Sequence, residues 1–145
     1  MEVWMPWPPS TNRIWRNVGK RTLLSKEARV FRNRARGELL AQGAANRKLA
    51  GRVALEVVLY PKNGRAFDID NKLKALLDAL TYSRVWLDDG QVDEILVVRG
   101  PQKEEAQARV TITERAGGGH GGIEAKERGH GLPAAEPAGS SCDGA

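Results

Sequence analysis

The sequence is poor in the residues that make covalent or soft-metal frameworks: it holds one cysteine, Cys142, and two histidines, His120 and His130, in 145 residues. A lone cysteine has no disulfide partner within the chain, which points to a reducing compartment. His120, His130 and Cys142 match no zinc spacing, and they fall in a Gly/Ala-rich stretch with no scaffold to hold them. No apolar run approaches the ~20 residues that cross a bilayer. The opening MEVWMPWPPS has neither a basic nor an apolar leader region, so a soluble, cytoplasmic protein is expected with no membrane partner. Acidic residues are outnumbered by basic ones over most of the chain. Residues 116–145 hold two bases and four acids, so the first 115 carry 21 bases against 14 acids, a net of +7. That surplus suits a polyanionic partner.

What is present reads as one domain over residues 1–115 and a Gly/Ala-rich tail over 116–145. The tail has too few large apolar residues to offset the entropy of ordering and is expected to be disordered. Within the domain, residues 2–7 read as an edge strand stopped by Pro8-Pro9. Residues 11–21, TNRIWRNVGKR, read as a basic loop. There Arg13, Arg16, Lys20 and Arg21 accompany Trp15, a composition suited either to phosphate contact and stacking or to a solvated loop. Ser25 is placed to cap a helix over 26–42, with Ala28, Phe31, Ala35 and Leu39 on its inner stripe and Arg29, Arg32, Arg34 and Arg36 elsewhere. Residues 53–60, VALEVVLY, read as a central strand. A second helix is predicted over 70–80, with Leu73, Leu76, Leu77 and Leu80 inward. Residues 85–87, 94–99 and 108–113 read as extended, the last two as a hairpin. The class is α/β (α+β), a small mixed sheet packed with two main helices.

The chemistry concentrates in Asp68-Ile-Asp70-Asn71-Lys72-Leu73-Lys74 and in Trp86-Leu-Asp88-Asp89-Gly90-Gln91-Val92. In extended backbone Asp68 and Asp70 would share a face, and two adjacent carboxylates repel unless a cation or shared proton compensates. Oxygen donors without nearby His or Cys suit Mg²⁺, or alternatively Mn²⁺. Lys74, one helical turn after Asp70, adds a cation of use to phosphoryl chemistry. The Asp88-Asp89 pair is able to return a third carboxylate, although spacing does not say which of the two. The same residues also read more plainly: Asp70 as a helix cap, Asp68 as a turn residue, Lys74 as a surface partner, and 88–90 as an ordinary turn.

The run D-I-D-N-x-L-K-x-x-x-D-A-L, then W-L-D-D-x-Q-V, with P-W-P-P-S-x-N-R before both, resembles the RusA family of Holliday-junction resolvases. The resemblance runs from Pro6 to about Glu114. It implies a Mg²⁺-dependent, homodimeric endonuclease acting on branched DNA, the four-way junction, in recombination or repair. It further implies Asp68, Asp70 and Asp89 as metal-binding catalytic carboxylates, Asp88 and Asn71 in support, and Lys74 at the scissile phosphate. Lys72 and Lys74 would join Arg13, Arg16, Lys20 and Arg21 in binding DNA. Two departures stand out: Phe67 where the family often has a basic residue or proline, and Leu77 where at least one relative has an aromatic wedge. Rival readings are a non-catalytic nucleic-acid-binding protein and a metal-dependent hydrolase of small phosphoryl substrates.

Overall fold

The computed structural model describes residues 1–116. The expected disordered tail, with His120, His130 and Cys142, otherwise lies outside the described residues. Among those described, no helix is long and apolar enough to cross a membrane.

A mixed four-stranded sheet carries the fold. Its strands are β1 (Glu2–Pro6), β4 (Val53–Tyr60), β5 (Val92–Arg99) and β6 (Gln107–Glu114), in the order β1-β6-β4-β5. Helix α1 (Lys26–Ala41) begins where Ser25 accepts a hydrogen bond from the Ala28 amide at 3.1 Å. It buries Ala28, Phe31, Ala35 and Leu39, the stripe its periodicity predicts. Helix α2 (Asp70–Tyr82) buries Ala75, Leu76, Ala79 and Leu80. Together with Val53, Leu55, Val57 and Leu59 of β4, Val3 and Met5 of β1 and Val110 and Ile112 of β6, these side chains make one core. β4 reads as nearly continuous apolar sequence because it has a strand on each side and the helices on one face.

Three expectations are corrected. β5 and β6 are not a hairpin: β4 lies between them, parallel to β5 and antiparallel to β6. Placing buried β6 between β1 and β4 satisfies both of its edges, whereas pairing it with β5 would leave one open. Residues 85–87 form no strand beyond a single bridge between Trp86 and Leu49, because Trp86 turns wholly inward instead. The basic 11–21 segment is not a plain loop. It comprises a short 3₁₀ turn, Thr11–Arg13, and the start of a hairpin of β2 (Trp15–Val18) and β3 (Arg21–Leu24). Gly19, at φ +60°, supplies the left-handed residue of its tight turn.

Gly100 follows β5 at a close approach. A Cβ there would lie 2.8 Å from Tyr60 Cδ1 and 2.9 Å from Val58 Cγ1. The Tyr60 ring has little room to yield, stacked on Trp4 at 5.6 Å and covered by Lys103 at 4.3 Å. Gly100→Ala is therefore expected to destabilise the fold by about 1–3 kcal/mol, read as a lowered midpoint of thermal unfolding.

Candidate active site

The β4–α2 connection brings Asp68 and Asp70 to the start of α2. Ile69 already has helical backbone, φ −59° and ψ −45°, so the shared-face rule for strands does not govern the pair. Asp68 instead accepts a hydrogen bond from the Asn71 side-chain amide at 3.1 Å, and Asp70 opens the helix. Asp70 is not the cap, because Ile69 holds that position and no side chain caps this end. Both carboxylates are exposed.

Asp68 stands on the rim of a groove of about 930 Å³ between the β4–α2 connection, α1 and the Pro8-Pro9 turn. Trp7 and Phe67 meet there edge to face, 5.0 Å between centroids. Arg13, Arg34, Lys62, Arg65 and Lys72 line the groove against two acids, Glu27 and Asp68. The Lys72 ammonium donates to the Pro8 carbonyl at 3.0 Å and lies 5.2 Å from the Trp7 centroid. Burial pulls its pKa below the usual lysine value. Arg16, Lys20 and Arg21 sit exposed on the β2–β3 hairpin, away from this groove.

Along α2, residues 70, 74, 78 and 81 follow one another at helical spacing on one face. Lys74 Nζ donates to Asp78 Oδ1 at 2.8 Å. That bond, with the charges of Asp78 and Asp89 adding to it, raises the Lys74 pKa. Lys74 therefore remains an ammonium at neutral pH and contributes charge rather than base chemistry.

Asp88 and Asp89, indistinguishable by spacing, have different surroundings. The Asp88 side chain caps the 3₁₀ turn Asp89–Gln91, accepting from the Gly90 amide at 3.3 Å, while Gln91 Oε1 accepts from the Asp88 amide at 2.8 Å. Gln91 Nε2 ties this turn to the Leu49 and Gly51 carbonyls, at 2.7 and 2.9 Å. Asp89 turns toward α2 and accepts from the Thr81 hydroxyl. The indole N–H of buried Trp86 donates to the same Thr81 oxygen at 2.8 Å. Since an indole N–H only donates, it occupies a Thr81 lone pair and leaves the hydroxyl proton for Asp89. Asp78, inside the first run that carries the resemblance, Thr81, outside both runs, and Trp86, which opens the second, were assigned no site role from the sequence. Only the helical offsets from Lys74 could have suggested the first two.

The predicted residues are thus gathered in two places, Asp68, Asp70 and Asn71 at the start of α2 and Asp89 near its end. Among the described residues, no three His, Cys, Asp or Glu side chains stand close enough to hold a metal ion. Asp68 and Asp70 offer the hard oxygens that Mg²⁺ takes, and this ion commonly uses one or two carboxylates with waters and substrate phosphate. The Asp89 carboxylate, held at Thr81, is not part of that pair within one chain.

A family model for the endodeoxyribonuclease RusA matches residues 6–113. The crossover junction endodeoxyribonuclease RusA of Escherichia coli (strain K12) is 35% identical over 112 residues, spanning 77% of this chain and 92% of the relative. That of Enterobacteria phage 82 is 36% identical over 116 residues, with the same shares covered. The Shigella sonnei (strain Ss046) relative is 35% identical over 112 residues, again covering 77% and 92%.

Proposed function

The chain belongs to the RusA family of endodeoxyribonucleases, and from that premise we propose that it is a Mg²⁺- or Mn²⁺-dependent nuclease that resolves four-way DNA junctions as a homodimer in the cytoplasm. The observation that carries this reading is the Asp68 carboxylate on a groove lined by five cations and two aromatic rings, with Asp70 two residues on at the start of α2. A groove of that kind suits a single DNA strand, with cations following phosphates and rings available to bases.

Asp68 and Asp70, joined by Asp89, would hold the cation. When bound there it supplies charge neutralisation at the scissile phosphate and lowers the pKa of water. Asn71 steadies the Asp68 carboxylate. Lys74, charged at neutral pH, stabilises negative charge developing on the phosphate. Asp88 supports the site by shaping the turn that presents Asp89. Arg13 and Lys72 bind the strand in the groove, while Arg16, Lys20 and Arg21 on the hairpin engage a junction arm through phosphates.

The deciding experiment compares a synthetic four-way junction, a linear duplex and free nucleotides, each with and without Mg²⁺. Symmetric, Mg²⁺-dependent cutting of the junction is expected. Preference for the duplex or for nucleotides would remove the resolvase assignment, and binding without cleavage would favour the non-catalytic rival. Arg34 and Arg65 extend the DNA path. Each change to alanine is expected to weaken junction binding irrespective of sequence and to reduce the slope of log affinity against log salt by about 1, measured by fluorescence anisotropy across a salt series. Thr81→Val, which keeps the shape but removes the hydroxyl, is expected to lower Mn²⁺ affinity or cleavage about 10–100-fold. Thr81→Ser should restore most of it.

A further inference from the structure

Helix α2 borders a second cavity, separate from the groove at Pro8-Pro9. It encloses about 370 Å³ between α1, α2 and the β2–β3 hairpin. The facing helices contribute only small side chains at Ala28, Ala75 and Ala79, which leaves a gap that larger residues would fill. Ile14, Leu24 and Phe31 complete the apolar lining. Two of the lining rings reach solvent, Trp15 exposed by 52% and Tyr82 by 40%. Trp15 lies outside the core cluster, so packing does not account for it.

The polar groups of this cavity are few. Lys74, Asp78 and Thr81 come from α2 and Arg32 from α1. Asp78 is engaged by Lys74, and Thr81 by Asp89. Arg32 differs: its Nε is buried without a hydrogen-bond partner, while its guanidinium lies 4.0 Å from the Tyr82 centroid. An unpaired buried N–H costs free energy that an acceptor on an occupant would recover. An apolar protein side chain would satisfy the lining but not Arg32, and a lone phosphate would meet the cations but not the lining. A nucleobase answers both, because its face stacks on an aromatic ring and its edge offers a carbonyl or ring-nitrogen acceptor. The volume is that of a site for one small molecule, within the range of about 300–1,000 Å³.

We propose that the cavity between α1, α2 and the β2–β3 hairpin receives one base swung out of the junction beside the scissile phosphate, with Trp15 stacking on it and Arg32 donating to its edge. This rests on the reading above that Lys74, which borders the cavity, acts at that phosphate. Leu77, at the wedge position of a relative, is not among the lining residues. The base is captured in a pocket rather than displaced by a wedge. Swinging a base out costs least where it is already unstacked. A base at an open crossover has lost a stacking neighbour, so the cavity favours branched over linear DNA and draws the backbone onto Lys74.

The test pairs a change in the protein with a change in the DNA. Each crossover nucleotide of a synthetic four-way junction is replaced in turn by an abasic analogue, and single-turnover cleavage is measured with Mg²⁺. The wild-type chain is expected to slow about 10- to 100-fold at one position. Trp15→Ala should slow by a similar factor on the intact junction and lose nothing further on that abasic junction, because both changes remove the same contact. Trp15→Phe should restore most of the rate. Arg32→Lys keeps the charge without the Nε donor, and its loss should likewise vanish on the abasic junction. Losses that multiply, or an abasic scan with no slow position, overturn the proposal and leave the resolvase reading intact. An intact junction left uncut by the wild-type chain removes the underlying reading and the proposal with it.

Discussion

Asp70→Asn is expected to reduce cleavage of a four-way junction by at least about 10³-fold, equivalent to ~4 kcal/mol of transition-state stabilisation, while junction binding stays within about twofold. The substitution is isosteric and removes one charge at the first residue of α2. Its structural cost is small because Ile69, not Asp70, holds the capping position, and the Asp70 side chain is exposed. The lost favourable interaction with the helix N-terminus amounts to about 0.3–1 kcal/mol. A stability defect therefore cannot account for a thousandfold loss. On the proposed reading, phosphate contacts supply binding and come from Arg13, Lys72 and the other cations that line the groove rather than from the carboxylate. Single-turnover cleavage with Mg²⁺, beside anisotropy without a divalent cation, separates the two quantities. Cleavage that survives the change would rule out Asp70 as a cation ligand and, with it, the proposed chemistry.

How much of this was legible in the sequence depends on how local the deciding contacts are. The Ser25 cap and the 28–31–35–39 stripe lie within one helix, so α1 could be read directly. β4 announced its central place by its nearly continuous apolar run, broken only by Glu56. The partners of β4 could not be read in the same way, since a parallel β5 and an antiparallel β6 depend on contacts far apart in sequence. Val85-Trp86-Leu87 is composed of strand formers, but filling the core with the Trp86 ring outweighs strand pairing there. The β2–β3 hairpin escaped notice because both its faces are exposed, and the alternation that normally reveals a strand was missing.

The site shows the same division. Chain order placed Asp68, Asp70 and Lys74 about the start of one helix, and the structure keeps them there. The separate roles of Asp88 and Asp89 could not be read from two adjacent identical residues. They follow from Gln91, which locks Asp88 into a capping turn, and from Thr81, which receives Asp89. Phe67, a departure from the family's basic residue, has a place of its own: it packs against Trp7 in the groove, and Arg99 supplies a cation at its face.

Trp86 joins fold and site, and Trp86→Ala is expected to have the largest effect on stability, about 3–5 kcal/mol. The ring is fully buried in the core cluster. Around it the chain is drawn in by backbone bonds from Asn46 to the Ser83 carbonyl, from Lys48 to that of Arg84 and from Leu49 to that of Val85, each 2.9 Å. Against a typical total of about 5–15 kcal/mol, that loss is a large fraction, and the thermal midpoint should fall by roughly 10–30 °C. Calorimetry gives the midpoint, and a fall of under about 5 °C would contradict the packing role. Trp86→Phe separates the two functions of the side chain. Phenylalanine keeps much of the apolar volume but has no N–H for Thr81 Oγ1, a loss worth about 0.5–1.5 kcal/mol. Its midpoint should fall much less than that of Trp86→Ala while cleavage falls, because the Thr81 hydroxyl is then free to turn away from Asp89. A Trp86→Phe variant with wild-type cleavage would limit Trp86 to packing and leave the aim of Asp89 to Thr81 alone.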